Sequence, residues 1–194
     1  GGGDGAYRPV GAHYFHIASW YAGFTPLEWR KLSLLLHVSN AALLWLLCRK
    51  LWPHLRGLAC TAAALFLVHG TRPEVVYWTA GSFDLLACFF SLLAVVWWLC
   101  RPLQSTPLQW AGAAGFLVLA ILSKESAYAV PLVGVLLMLA SARPSGVRPR
   151  SFAVLSFGVA AALAVHRFLL FGGPGGYADT ASGQSVTADN VTVD

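Results

Sequence analysis

What most constrains this chain is where its carboxylates fall relative to its apolar stretches. Six such stretches, at about 32–51, 57–71, 82–100, 108–123, 126–142 and 152–171, are separated by polar connections. Threaded back and forth across a bilayer, they bring the connections 49–56, 101–107 and 143–150 to one face. Those connections hold Arg49, Lys50, Arg56, Arg101, Arg143, Arg148 and Arg150, and neither Asp nor Glu. Asp4, Glu28, Glu74, Asp84, Glu125, Asp179, Asp189 and Asp194 all fall to the other face. Cytoplasmic loops are the ones enriched in Lys and Arg, so the carboxylates are expected to face outward, toward periplasm or lumen.

Composition supports a membrane setting independently. The chain is 57% hydrophobic and 11% charged, with mean hydropathy +0.64; soluble domains are roughly 25% charged. The stretches 108–123 and 126–142 are short enough that either alone would pass for a soluble core helix. Six in series, alternating with the charge, point to an all-α integral membrane fold, a polytopic bundle of about six transmembrane helices. Residues 1–31 are then an outward interfacial segment, 32–171 the bundle and 172–194 an outward polar loop. The net charge of +5 reflects topology; the basic residues are divided between two faces and form no stripe, which excludes a nucleic-acid partner. Cys48, Cys60, Cys88 and Cys100 form no C-x-x-C pair and stand beside no His cluster, so they read as small apolar core residues, with no disulfide and no metal site. The chain opens on GGGDG and closes on a polar run, and is expected to be an internal piece of a longer multi-span protein.

Polar residues are concentrated toward the outward face. Residues 1–31 are rich in aromatics, and 12–24 is expected to form a short helix lying on the membrane surface, where such rings prefer to sit. His37 and Asn40, three apart, share a helical face and must meet protein or a water-filled cavity, as an interhelical hydrogen bond or as a cavity wall. The densest cluster runs from His69 through Arg72, Glu74, Trp78 and Ser82 to Asp84. Arg72-Pro73 forces an extended break there. Asp84, about one turn into its helix, has both the helix N-terminus and Arg72 to stabilise it, and a structural ion pair is one reading. Lys124-Glu125 is a charged pair bracketed by two apolar stretches, either a helix-terminus pair or an anion holder with its orienting carboxylate. Arg167, inside the last stretch, is expected to snorkel outward.

Arg8, Arg72 and Lys124 thus place cations at the outer ends of separate apolar stretches, and are the candidate ligands of a lipid-linked phosphate, which requires charge-assisted donors where water is scarce. Glu74, Asp84 and Glu125 are carboxylates that orient these cations, serve as a general base or support a divalent metal, while His37, Asn40, His69 and Trp78 are candidate cavity-wall residues. A transporter more often gathers its polar residues at broken helices near mid-membrane. The rival to interfacial chemistry is nevertheless a non-enzymatic multi-span transporter or membrane scaffold.

The order YRPV (7–10), His37-x-x-Asn40, HGTRPEVVYWTAGSFDLL (69–86), LSKESAYAVPL (122–132) and FGGPGGY (171–177) resembles the GT-C superfamily of multi-span glycosyltransferases. It is most similar to the protein O-mannosyltransferase-like branch that includes the transmembrane tetratricopeptide-repeat mannosyltransferases. The resemblance runs from Tyr7 to Tyr177 and implies a polyprenyl- or dolichyl-phosphate sugar as donor, with chemistry on the outer or luminal side. The acceptor would be protein, lipid or glycan; the host membrane would be the bacterial cell membrane with a periplasmic active face or, alternatively, the endoplasmic reticulum. Family members often carry His-Pro where this chain has His69-Gly70, and Gly-Arg-x-Asp where it has Gly81-Ser82-Phe83-Asp84, so a donor contact from that Arg is missing. The family's main catalytic carboxylate lies in the first outward loop, upstream of YRP. Asp4 is too close to YRPV to fill that role, and this piece is expected to be inactive alone.

Overall fold

The computed structural model describes residues 7–69, 76–100, 106–141 and 148–171. The secondary structure among the described residues is entirely helical. The helices are α1 (Pro9–Ala22), α2 (Pro26–Leu51), α3 (Arg56–Val68), α4 (Ser82–Cys100), α5 (Pro107–Ser123), α6 (Val130–Ala140) and α7 (Pro149–Phe171), with 3-10 turns at Thr79–Gly81 and Glu125–Ala129. Proline sets the starts: Pro9, Pro26 and Pro107 sit in the first turn of α1, α2 and α5, where a missing N–H costs nothing. Thr106 caps α5 by accepting from the Gln109 amide at 3.2 Å. Gly23, at φ 51°, takes the left-handed turn that ends α1 and redirects the chain into α2.

Six spans were expected, and the helices are less uniform than that. Three are long and apolar enough to cross a membrane: Pro26–Leu51, Thr79–Cys100 (the 3-10 turn plus α4) and Pro149–Leu170. The other three are shorter for local reasons. The 13-residue α3 ends at Val68 and reaches only about 20 Å, against a hydrocarbon core of about 30 Å. The stretch 126–142 is divided into a 3-10 turn at Glu125–Ala129 and a helix from Val130, because Pro131 has no N–H to donate back into the turn. By contrast α2 begins at Pro26, ahead of its apolar stretch, and takes in Glu28, Arg30 and Lys31. A helix does form over the aromatic segment, as α1; its Trp20 and Tyr21, and Phe24 just beyond it, are exposed.

The bundle is unequal along its length. Leu47, Leu51, Val95, Trp98, Met138 and Phe152 form a large-residue core near the end that carries Arg49, Arg56 and Arg148. Toward the other end the core is Ala87, Ala120, Ile121, Ala127 and Ala160, small residues that let backbones approach closely. Polar ties fix the helix register: the Asn40 amide donates to the Leu85 carbonyl at 3.0 Å, joining α2 to α4, and Gln109 donates to the Trp98 carbonyl at 2.9 Å, joining α5 to α4. Cys48 is buried, but Cys60 and Cys100 are exposed, so the core reading of the cysteines fails for those two.

Candidate functional site

Polar side chains converge at the alanine-lined end. The starts of α1 and α4, the α5–α6 junction and the last turns of α7 all meet there. The Arg8 guanidinium, just before α1, grips Glu125 through Nη2 at 2.9 Å and Nε at 3.1 Å. Its plane also lies 5.4 Å from the Phe83 ring centroid. Arg167, from α7, donates to the other Glu125 oxygen at 2.8 Å. Lys124 contacts both oxygens of Asp84 at 2.6 Å. Because Arg8 stacks on Phe83 and binds Glu125, while Asp84 binds Lys124, two adjacent residue pairs knit one cluster. The Tyr7 and His166 rings, 6.5 Å apart, add a further contact between the α1 entry and α7.

Three cations (Arg8, Lys124, Arg167) stand against two carboxylates (Asp84, Glu125), so the cluster keeps one net positive charge. Arg167 Nε is buried and has no hydrogen-bond partner, leaving one charge-assisted donor unused. Glu125 feels opposing influences: burial pushes its carboxyl up, but the hydrogen bonds from Arg8 and Arg167 outweigh it and bring the pKa to about 2. A carboxylate held that low is a poor proton acceptor at neutral pH.

The remaining expected site residues are distributed as follows. Arg72 and Glu74 lie outside the described residues. His37 and His69 line a cavity of about 510 Å³ between α2 and α3, whereas Asn40 and Trp78 are not among its lining residues. Asn40 makes the interhelical bond described above, and Trp78 is exposed. His37, which also stacks on Phe66 at 5.0 Å, approaches the Leu67 carbonyl through Nε2 at 3.4 Å. Among the described residues, no group of three or more His, Cys, Asp or Glu gathers to hold a metal. Two members of the cluster were not among the expected site residues. Arg167 does not snorkel; it is 7% exposed and turned inward to Glu125. Phe83 carried no signal beyond its place before Asp84.

The fold and the cluster define an all-helical protein of membrane character with a polar centre at one end of its bundle. Among curated proteins, part of the chain is similar to Protein O-mannosyl-transferase TMTC1 of mouse, 34% identical over 89 residues, covering 46% of this chain and 9% of that protein. It is likewise similar to Protein O-mannosyl-transferase Tmtc1 of Drosophila melanogaster, 34% identical over 93 residues, 48% of this chain and 11% of that protein. The human Protein O-mannosyl-transferase TMTC1 matches at 34% over 89 residues, 46% of this chain and 10% of that protein. The chain therefore spans 9% to 11% of the length of these curated relatives. No family model matches it, and no solved structure matches it.

Proposed function

We propose that this chain is part of a glycosyltransferase of the protein O-mannosyltransferase kind, working at the carboxylate-bearing side of a membrane on a polyprenyl- or dolichyl-phosphate sugar. The observation that carries the reading is the cluster at the bundle end: its one net positive charge suits the phosphate of a lipid-linked sugar. The similarity to proteins named O-mannosyl-transferases supports the same reaction class. In this reading Arg8, Lys124 and Arg72 take the donor phosphate, and Glu125 and Asp84 hold Arg8 and Lys124 in position. The acceptor hydroxyl attacks the anomeric carbon with inversion, the lipid phosphate leaves, and the hydroxyl proton passes to a carboxylate. The low pKa of Glu125 disfavours it as that base, which leaves Asp84, Glu74 or a residue beyond this chain.

Six crossings with both ends outward are the topology we assign to this part of the protein. Reporter fusions test it: a reporter after Lys124 should read outward and one after Arg56 cytoplasmic. A cytoplasmic signal at Lys124 would put the cluster on the wrong side. The relatives named above are animal proteins, which favours an internal eukaryotic membrane over the bacterial one. The reaction itself is tested on the complete protein: free polyprenyl phosphate should accumulate from the lipid-linked sugar only when a hydroxyl acceptor is supplied.

A further inference from the structure

The Phe83 ring, in the first turn of α4, meets α1 at three successive points of one helical face. Its centroid lies 5.4 Å from the Arg8 guanidinium and 5.1 Å from that of the Phe15 ring. Between them stands Gly11, which is buried, and a Cβ there would overlap the Phe83 ring. Positions 8, 11 and 15 are three and four apart, the spacing that brings residues onto one face. Gly11 thus lets the α1 backbone settle directly on the ring. The contacts on either side also fall at the bundle end: Tyr7 nears His166 of α7, and Phe15 packs on Trp29 of α2. Helix α1 therefore crosses that end from α7 to α2, seated on Phe83.

The Arg8 guanidinium is consequently fixed in two directions. Glu125 holds one edge, through Nε and Nη2, and the Phe83 ring lies against one face. The nitrogen left over is Nη1. It makes no hydrogen bond among the described residues, it is not buried, and it belongs to a side chain 23% exposed. Because a guanidinium is rigid and planar, fixing its edge and its face also fixes where Nη1 points. Lys124 is placed alike: Asp84 takes two contacts from an ammonium that has three donors. Phe83 and Asp84 are consecutive, about 100° apart around α4, so one reaches α1 while the other reaches the α5–α6 junction. One turn of α4 thus anchors both cations and leaves each a spare donor.

We infer that Phe83 is a positioning residue: by carrying the plane of Arg8 it aims Nη1 at the donor phosphate. The inference rests on the donor reading above, and adds to it the atom that meets the phosphate and the ring that aims it. One spare N–H from each cation matches the two unesterified oxygens of a lipid-linked sugar phosphate.

The test is equilibrium binding of dolichyl-phosphate mannose, without acceptor, to the complete protein in nanodiscs. Arg8→Ala should weaken it about thirtyfold, as loss of a charge-assisted contact implies. Phe83→Leu keeps an apolar side chain but no ring face, and should weaken it about fivefold, the worth of one cation–π contact. Phe83→Tyr keeps the face and should stay within about twofold of the parent, whereas apolar packing alone would be served by Leu as well as by Tyr. The double variant Arg8→Ala/Phe83→Leu should bind no more weakly than Arg8→Ala, because the ring then has nothing to aim. A loss of about 150-fold in the double variant, the product of the single losses, overturns the assignment, as does Phe83→Leu binding like Phe83→Tyr. If Arg8→Ala binds like the parent, the donor reading itself fails, and Phe83 loses its role with it. Hydrogen exchange without donor checks the seat independently. Ala forms helix better than Gly, so an unobstructed Gly11→Ala would slow exchange of α1 amides. Overlap with the ring should speed it instead, and slower exchange overturns the inference.

Discussion

Replacing Glu125 by Gln is expected to release α1 from the bundle, accelerating hydrogen exchange of α1 amides about a hundredfold in the complete protein. Glu125 is the only described carboxylate contacting Arg8, and it accepts from Arg167 as well. Removing its charge strands two guanidinium groups, one of them on a side chain only 8% exposed. Breaking one side of a buried ionic group costs about 3 kcal/mol, which is a factor of about a hundred in local opening. The effect has a pH signature. With its pKa brought from the ordinary 4.5 to about 2, Glu125 holds the folded form best when ionised. Its contribution is complete above the ordinary value and is lost as pH falls toward about 2. Parent and Glu125→Gln should therefore differ by a constant amount from pH 7 to about pH 5, and converge in stronger acid. Unchanged exchange of α1 at pH 7 in the variant would show that the network holds nothing together.

The second large effect separates a binding cation from a structural one. Lys124→Gln is expected to weaken binding of the lipid-phosphate sugar about thirtyfold, the worth of one charge-assisted contact to an anion. Asp84→Asn should weaken it less, because the variant loses the carboxylate that positions Lys124 at 2.6 Å but keeps the cation that meets the phosphate. If Lys124 serves only as a structural partner of Asp84, both variants lose stability alike and neither changes donor affinity. Equilibrium binding of a non-hydrolysable donor analogue to the two variants distinguishes these cases. Unchanged donor affinity in Lys124→Gln would remove Lys124 from the site.

Much of this arrangement was legible in the chain because membrane helices announce themselves through apolar length. Each of the six apolar stretches coincides with a helix or a helix with its leading turn. Segregation of the carboxylates also anticipated that Asp84, Lys124 and Glu125 would share one end. Helix lengths were less legible. Nothing in apolar content ends α3 at Val68 or restarts α6 at Val130; these depend on breaks and proline placement. Pairing was illegible altogether. Arg8 and Glu125 are 117 residues apart and Arg167 and Glu125 are 42 apart, so their meeting depends on the register in which α1, α5 and α7 pack. An arginine within an apolar stretch has two physical outlets, snorkelling or pairing, and only the position of Glu125 decides for Arg167. The polar pair His37 and Asn40 shows the same limit: shared helical spacing could not tell that one residue lines a cavity while the other bonds across to α4.

The most direct measurement places the complete protein in sealed proteoliposomes with a labelled dolichyl-phosphate mannose and an excess of acceptor peptide bearing Ser and Thr. Glycosyl transfer predicts that label becomes covalently attached to peptide hydroxyls while free dolichyl phosphate appears in equal amount, and that Arg8→Ala reduces both together. Label that crosses the bilayer without joining any acceptor, at a rate unaffected by Arg8→Ala, would contradict the account and return the protein to the transporter class.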